Sequence, residues 1–378
     1  MVINKTGKQI IVSRSGFLRT YLDGKLHSFD DKPSRVSYDG KVKIWHKNGI
    51  IHRDGDKPAV IKDTVEITPS GVEKHIFVKH WYKKGVSHRD GDKPASIWHE
   101  KHFSNGQIVT DYSAKYWYVN GRKTRLSNKP SDVSVSTHQY FSPNSSVKEC
   151  HKSSIKIWYV NGEKHRDNGP AFVSLGKTFL DEEIISVGKE IFYYKKDMLH
   201  RDGDKPARFV KHLTSDSESI RMFFYQEDKL HREGDKPAIL QVSIKDNIET
   251  RDEKYYVNGL EHRDGDKPAI ILKDPNEGLD LVKYYRNGKY HRDGDKPALV
   301  VNVDDKTYFK FYQNGIDTNN YKDFLGQLVL QDLKNNVSGW EDIQLGDYPV
   351  DIMNSILFAA TGIEYSLDMP GKYLLKWW

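Results

Sequence analysis

A fifteen-residue motif that recurs along most of the chain constrains the fold more than any other feature of the sequence. Its clearest copy, at residues 255–269, reads Tyr-Tyr-Val-Asn-Gly-Leu-Glu-His-Arg-Asp-Gly-Asp-Lys-Pro-Ala. Self-similarity of this kind is typical of repeat proteins, whose copies stack to bury a shared core. Further full copies, one shortened copy (158–171), two degraded copies (21–34 and 117–131) and a half-copy cover residues 21–34, 45–59, 81–95, 117–131, 158–171, 193–207, 224–238, 284–298 and 311–315.

The spacing between copies distinguishes two kinds of repeat architecture. Counting Thr124 as a replaced histidine, neighbouring motif histidines lie 25 to 41 residues apart. Nearly all of this variation falls between the Pro-Ala of one copy and the aromatic pair of the next. A solenoid with a strict coil keeps its period, whereas a strand meander absorbs length changes in its loops. The variable spacing therefore favours a meander.

Each copy has the composition of antiparallel strands joined by tight turns. Aromatic and β-branched residues precede an Asn-Gly pair, as at Asn258-Gly259 and Asn287-Gly288, and this pair predicts a type I′ hairpin turn with positive φ. The short return strand is stopped by Asp-Gly-Asp-Lys-Pro, and a further strand follows Pro-Ala. Three or so strands per repeat are expected. The sequence thus predicts a mainly β, elongated antiparallel hairpin and meander array over residues 1–317, with about nine copies plus a half-copy.

Residues 318–378 differ in kind from the repeats. A helix capped by Asn320 is predicted from apolar residues at helical spacing, and a second helix is predicted from Asp347-Tyr348-Pro349 to Gly362. This segment carries a net charge of −4, which leaves +10 for the rest of the chain. Its simplest role is a helical cap on the last repeat. The alternative is a docking segment that ends in Lys376-Trp377-Trp378. The apolar residues of the first helix are Phe324, Leu325, Leu328, Val329 and Leu333.

Composition excludes several classes of protein. Aromatic residues make up 12 % of the chain, which argues against disorder, and hydrophobic residues only 37 %, which suggests many shallow, half-buried surfaces. The single cysteine, Cys150, excludes an intramolecular disulfide and a cysteine zinc site. No apolar run has the roughly 18 residues that a membrane span needs. No secretory signal is apparent at the start of the sequence, so a soluble protein of a reducing compartment is expected.

The theme Tyr-x-Asn-Gly-x-x-His-Arg-x-x-Gly-Pro-Ala, seen at residues 159–171, resembles the MORN-variant repeats. It is similar above all to repeat proteins of large DNA viruses and bacteriophages. The resemblance covers roughly residues 21–315, and it departs from the standard MORN pattern in glycine spacing and in the added His-Arg-Asp and Asp-Lys-Pro. It implies antiparallel hairpin ribbons used for protein association and sometimes for membrane contact. It also implies a viral or phage structural or host-interaction protein in the host cytoplasm or the virion.

Two motifs superficially suggest catalysis. His52-Arg53-Asp54 followed by Lys57-Pro58 resembles a kinase catalytic loop, but it recurs in seven His-Arg-acid copies without a glycine-rich loop or Asp-Phe-Gly. Gly176-Lys177-Thr178 resembles the end of a phosphate-binding loop, yet Ala171 occupies the position of the required first glycine. No nucleophile, base and oxyanion donors gather at one non-repeating site, so no enzyme and no cofactor are expected.

The repeated acids and histidines could suggest metal binding. Pairs such as Asp54 and Asp56 offer two carboxylates beside an Arg and a Lys, fewer oxygens than calcium takes. Histidines one repeat apart are too distant to share a zinc ion. The preferred interpretation is structural, with no metal: Asp pairs with Arg or Lys, His packs inward and bonds a turn carbonyl, and Arg stacks on the aromatic pair. These structural motif residues, which also form a candidate interaction face, are Trp45, His52, Arg53, Trp81, His88, Arg89, Trp158, His165, Arg166, His200, Arg201, His231, Arg232, His262, Arg263, His291 and Arg292.

Two functional hypotheses remain. The first is a non-enzymatic repeat scaffold that binds an unidentified protein through a ribbon face and the variable hairpins. The second is a nucleic-acid-binding protein that uses the basic, aromatic-rich repeats. The motif itself is nearly neutral, and the excess positive charge falls in variable stretches such as 74–84 and 148–156, with no dense basic stripe evident in the sequence. The protein hypothesis is therefore preferred.

Overall fold

The computed structural model describes residues 2–3, 8–13, 16–125, 128–141, 148–294, 296–303, 306–318, 325, 327–329 and 364–366. These residues are nearly all in antiparallel β-hairpins, which confirms the predicted mainly β meander, and a small helical segment follows the last repeat. The chain divides into two compact units. The first comprises Met1–Leu199 with His212–Ser215, and the second comprises His200–Lys211 with Asp216–Trp378.

Each repeat motif folds into a short hairpin around its turn. At the predicted Asn-Gly turns both residues have positive φ, 53° and 87° at Asn258 and Gly259, as a type I′ turn requires. The short strands are Lys25–Leu26, His46–Lys47, Ile50–Ile51, Tyr82–Lys83, Val86–Ser87, Tyr118–Val119, Arg122–Lys123, Tyr159–Val160, Glu163–Lys164, Tyr194–Lys195, Met198–Leu199, Tyr225–Gln226, Lys229–Leu230, Tyr256–Val257, Leu260–Glu261, Tyr285–Arg286, Lys289–Tyr290, Tyr312–Gln313 and Ile316–Asp317. Lys25–Leu26 pairs with the end of Phe17–Leu22, and the others pair in sequence order.

Between the motifs the chain forms longer hairpins, and their strands pair with their sequence neighbours in an antiparallel sheet. In the first unit these strands are Val2–Ile3, Lys8–Ser13, Phe17–Leu22, Arg35–Ser37, Val42–Ile44, Val60–Ile67, Glu73–His80, Ser96–Ser104, Gln107–Tyr116, Asp132–Phe141, Lys148–Ile157, Phe172–Leu180 and Glu183–Phe192.

The second unit continues the pattern with shorter hairpins. Its strands are Ser217–Phe223, Ile239–Lys245, Ile248–Lys254, Ile270–Asp274, Leu279–Lys283, Leu299–Val303 and Lys306–Lys310, with a 3-10 turn at Pro275–Glu277. The strand Arg208–Thr214 contributes residues to both units. A repeat thus contains four strands, two short and two long, where three or so were predicted.

The additional strand arises because, at the motif's first aromatic residue, the chain stops pairing with the neighbouring long strand. The N–H of Trp117 donates to the carbonyl of Ser131, and the carbonyl of Trp117 accepts from the N–H of Thr124. These two hydrogen bonds join the start of the motif to residues later in the same motif. The aromatic stretch, which the sequence predicts as one strand, therefore forms two strands, Gln107–Tyr116 and Tyr118–Val119.

The core of each repeat is small. The motif alanine is fully buried in seven copies, and serine replaces it at Ser34 and Ser131. The motif aromatic beside it is also buried, as with Trp45 and Trp81. The second unit adds a larger apolar cluster on one face of its last strands: Leu272, Leu279, Leu281, Leu299, Val301, Val303 and Tyr308.

The segment after the last repeat contains a strand that the sequence did not predict. Leu325 and residues 327–329 are helical, and Leu325 and Val329 are fully buried. Glu364–Ser366 then pairs in parallel with Lys306–Lys310. The predicted helix cap Asn320 and the predicted second helix lie outside the described residues. No helix among the described residues has the length and apolar character that crossing a membrane requires.

Candidate functional site

The motif arginine stacks on the motif aromatic of its own repeat. The guanidinium carbon of Arg53 lies 3.8 Å from the centre of the Trp45 ring, and the equivalent distance for Arg232 and Phe224 is 3.7 Å. The same guanidinium donates from Nη1 to the carbonyl of the motif proline, Pro58 in the first case, at 3.1 Å. The predicted stacking is therefore present, and it directs the remaining N–H groups of the guanidinium toward the neighbouring repeat.

A carboxylate of the preceding repeat receives those N–H groups. Asp31 accepts from Arg53 Nε at 2.7 Å and from Lys57 Nζ at 2.7 Å. These hydrogen bonds, from the arginine above all, hold the pKa of Asp31 well below its usual range. The same triad joins repeats further along: Asp56 with Arg89 and Lys93, Asp92 with Arg125 and Lys129, Asp204 with Arg232 and Lys236, Asp235 with Arg263 and Lys267, and Asp266 with Arg292 and Lys296.

The motif histidine also bridges two repeats, and here the predicted partner was wrong. His88 Nε2 donates to the Asp90 carboxylate of its own repeat at 2.9 Å, and its Nδ1 accepts from the backbone N–H of Asn120 in the next repeat at 3.0 Å. No turn carbonyl takes part in either bond. The ring is suited to this position because a neutral imidazole offers one donor and one acceptor on opposite sides. The equivalent amide-to-Nδ1 bonds reach His27, His52, His165, His200, His231, His262 and His291.

A backbone bond between successive short hairpins completes the joint between repeats. The N–H of Gly85 in one turn donates to the carbonyl of Ile51 in the preceding return strand at 3.0 Å. Gly121 and Gly162 repeat this contact with Ser87 and Lys123. The motif residues thus act between adjacent repeats, and side chains from more distant copies do not meet in one site within the described part of the chain.

Shallow grooves lie between adjacent motifs. One of them, with a volume of about 310 Å³, is lined by residues 52–57, 81–83, 88–90 and 93. Its charged side chains all take part in ion pairs, so they already have partners. Among the described residues no group of three or more His, Cys, Asp or Glu side chains is arranged to hold a metal ion.

The distal ends of the long hairpins expose large apolar side chains. In the first unit, Ile67 is 75 % exposed and Tyr140 is 57 % exposed. Ile108, Leu180 and Ile184 are likewise exposed within three residues of their turns. In the second unit Ile244 and Ile248 flank the turn at Asp246-Asn247 in the same way. These residues belong to no repeated motif, so the sequence indicated the variable hairpins as a whole but not these individual side chains.

The register also sorts charge between the two faces of the sheet in the first unit. Cross-strand partners share a face and successive residues alternate between faces. From Ser96–Ser104 to Glu183–Phe192, one face carries seven lysines and the single acid Asp111, and we call it the lysine face. The opposite face carries five acids and no lysine or arginine. The lysines are Lys101, Lys115, Lys148, Lys152, Lys156, Lys177 and Lys189, and the acids are Glu100, Asp132, Glu149, Glu183 and Glu190.

Positive charge that is scattered along the sequence is thus gathered by strand pairing into one surface. Sequence reasoning missed it because alternation places residues on a face only once the pairing of each strand is known. Among known proteins, no family model matches this chain, and no curated protein matches it.

Proposed function

We propose that this protein is a non-enzymatic repeat scaffold that binds a partner protein through the distal ends of its long hairpins. The observation that carries the proposal is the recurrence of exposed, large apolar side chains beside the hairpin turns, with Ile67, Tyr140 and Ile184 all more than half exposed. Apolar side chains that are grouped at one edge of a sheet, unlike singly scattered ones, mark protein interaction sites. Strand register groups Ile67 and Ile108 in this way, because both lie on one face at the ends of neighbouring hairpins.

The contacts of the motif residues also support a binding role for the long hairpins. Side chains such as His88, Arg89 and Asp56 are engaged in contacts between repeats. A motif used in this way builds a support, and the non-repeated hairpins that it presents are free to specify a partner, as loops on a rigid scaffold commonly do. The MORN-type resemblance, with its association with protein binding, agrees with this function.

The proposal is tested with a variant that changes only the distal surface. Ile67→Thr combined with Tyr140→Thr removes two exposed apolar groups and keeps strand-forming residues. The control is Ile316→Thr, because Ile316 is 71 % exposed but lies on a short motif hairpin. We expect cross-linking and mass spectrometry to find a protein that binds the wild type and the control but not the distal variant. Equal capture by all three would place binding elsewhere.

A further inference from the structure

The lysine face holds more charge than the fold uses. The Nζ of Lys101 lies 3.6 Å from the Oδ2 of Asp111, the one acid of that face. For the other six lysines, no carboxylate in the described part of the chain lies within ion-pairing distance. Five of these six side chains are exposed, and Lys177 is half-buried. The positive charge of this surface is therefore open to a ligand.

Part of this charge acts against the sheet. Lys152 and Lys177 are direct cross-strand partners on the lysine face. Like charges placed opposite one another destabilise a strand pair. Lys152 also lies over the Phe179 ring, with its ammonium 4.8 Å from the ring centre. That contact offsets part of the repulsion for Lys152, but Lys177 has no ring or carboxylate partner among the described residues. A stabilising role in folding therefore does not explain the presence of both lysines, whereas a role in binding an anion does.

The dimensions of the face fit an extended ligand. Lys148, Lys152 and Lys156 follow one strand and span about 27 Å at the usual rise per residue. From the strand of Lys115 to the strand of Lys189 there are four strand spacings, or about 19 Å. No small anion could contact lysines separated by such distances, so the ligand must carry many negative charges.

We propose that the lysine face binds the phosphate backbone of nucleic acid without reading its bases. The seven basic residues of the face are all lysines, which bind phosphate as point charges without the bidentate geometry by which arginine recognises carboxylates, phosphates and guanine edges. Lysine is also depleted in protein interfaces. An acidic protein is therefore a poorer match for this surface than a phosphate polymer.

Sheet twist favours nucleic acid over an anionic membrane. At the usual twist of about 20–25° per strand, five strands rotate by roughly 80–100° from first to last. A flat bilayer would touch only some of these lysines, but a linear polymer can follow them. The proposal does not depend on protein binding at the hairpin ends, because it concerns different side chains.

The test measures binding of a random-sequence DNA duplex of roughly 20 base pairs over a range of salt concentrations, because lysine contacts to phosphate release counterions. The variant is Lys152→Gln with Lys177→Gln. The control is Lys229→Gln with Lys245→Gln, which removes the same charge at exposed positions of the second unit. We expect the wild type and the control to bind with similar steep salt dependence. In the face variant the slope of log K against log salt should be smaller by about 2.

Several results would overturn the proposal. One is the absence of detectable duplex binding at about 50 mM salt, where phosphate contacts are strong. Another is an equal loss of duplex affinity in the face variant and the control. Displacement of the duplex by polyglutamate at equal charge would indicate an acidic protein partner. Binding to phosphatidylserine vesicles but not to the duplex would indicate a membrane partner. Thermal melting verifies that the face variant is folded, and removing the like-charge pair should leave its Tm unchanged or raised.

Discussion

His52 Nδ1 accepts a hydrogen bond from the backbone N–H of Lys84, 32 residues further along the chain, at 3.2 Å. The bond joins the return strand of one motif to the turn of the next. It needs an unprotonated ring nitrogen, and the Nε2–H bond to Asp54 directs that nitrogen toward the amide. The histidine therefore connects two repeats, and its replacement should weaken the hydrogen bonding of the following turn.

His88→Thr should loosen the joint between two repeats, since it reproduces the residue found naturally at Thr124. The Asn120 N–H loses its acceptor, and we expect a loss of about 1 kcal/mol in the free energy of unfolding. The backbone amide hydrogen of Asn120 should exchange with solvent faster in the variant than in the wild type. His75→Thr, on a long strand outside the motif, serves as the control. An unchanged Asn120 amide would mean that the bond contributes nothing in solution.

The turns and the fold class could be predicted from sequence because both depend on local chemistry. Asn258-Gly259 has residue types that favour positive φ, and the structure confirms the turn. Lys84 also has positive φ, 50°, and only its place in the repeat could have indicated this. The bonds between repeats could not be predicted, because donor and acceptor lie some 21–38 residues apart and the intervening hairpin varies in length. The lysine face was missed for the same reason, since it depends on register.

Gly259→Ala should destabilise its repeat, whereas Gly176→Ala should not. Gly259 has a φ of +87°, which side-chain-bearing residues rarely adopt, and we expect a loss of about 1 kcal/mol or more in the free energy of unfolding. Gly176 lies in a strand without positive φ, and nothing stands within 4 Å of an added Cβ. Its replacement should be neutral or stabilise by about 0.5–1 kcal/mol. Urea unfolding of the two variants measures both changes in the free energy of unfolding. Equal changes in the two variants would contradict the prediction.

Stability should fall as the pH drops from about 5 to 2. Hydrogen bonds from Arg292 and Lys296 lower the pKa of Asp266 to about 2, whereas an unfolded aspartate titrates near 3.9. The fold therefore favours the charged carboxylate, and its contribution is complete above the unfolded pKa and lost as pH falls through the folded pKa.

Asp266→Asn should make the decrease in Tm between pH 5 and 2 less steep and should lower stability at pH 7 by less than about 1 kcal/mol, because the carboxylate is 43 % exposed. Asp280→Asn is the control, since Asp280 is exposed and has no ion pair among the described residues. Melting curves across this pH range provide the measurement. An unchanged pH profile in Asp266→Asn would show that the triad does not contribute to acid stability.

Removal of the residues after Thr318 should uncover the final strand of the array. Lys306–Lys310 pairs on one side with Leu299–Val303 and on the other with Glu364–Ser366. Truncation leaves the N–H and C=O groups on the second side without partners, and an open edge strand is a template for pairing with another chain. It also removes Leu325 and Val329, both fully buried, which at roughly 1.5–3 kcal/mol for each buried side chain would stabilise the last repeats substantially.

We therefore expect the truncated chain to self-associate in light scattering and to exchange amide hydrogen faster between Leu299 and Lys310 than the full chain does. Leu325→Ser separates the two causes, because it weakens the apolar contact without deleting the strand Glu364–Ser366. If edge exposure drives association, the point variant should be less stable but still monomeric. A truncated chain that remains monomeric and equally protected would show that residues 319–378 do not cap the array, and would make them the first place to look for a docking partner.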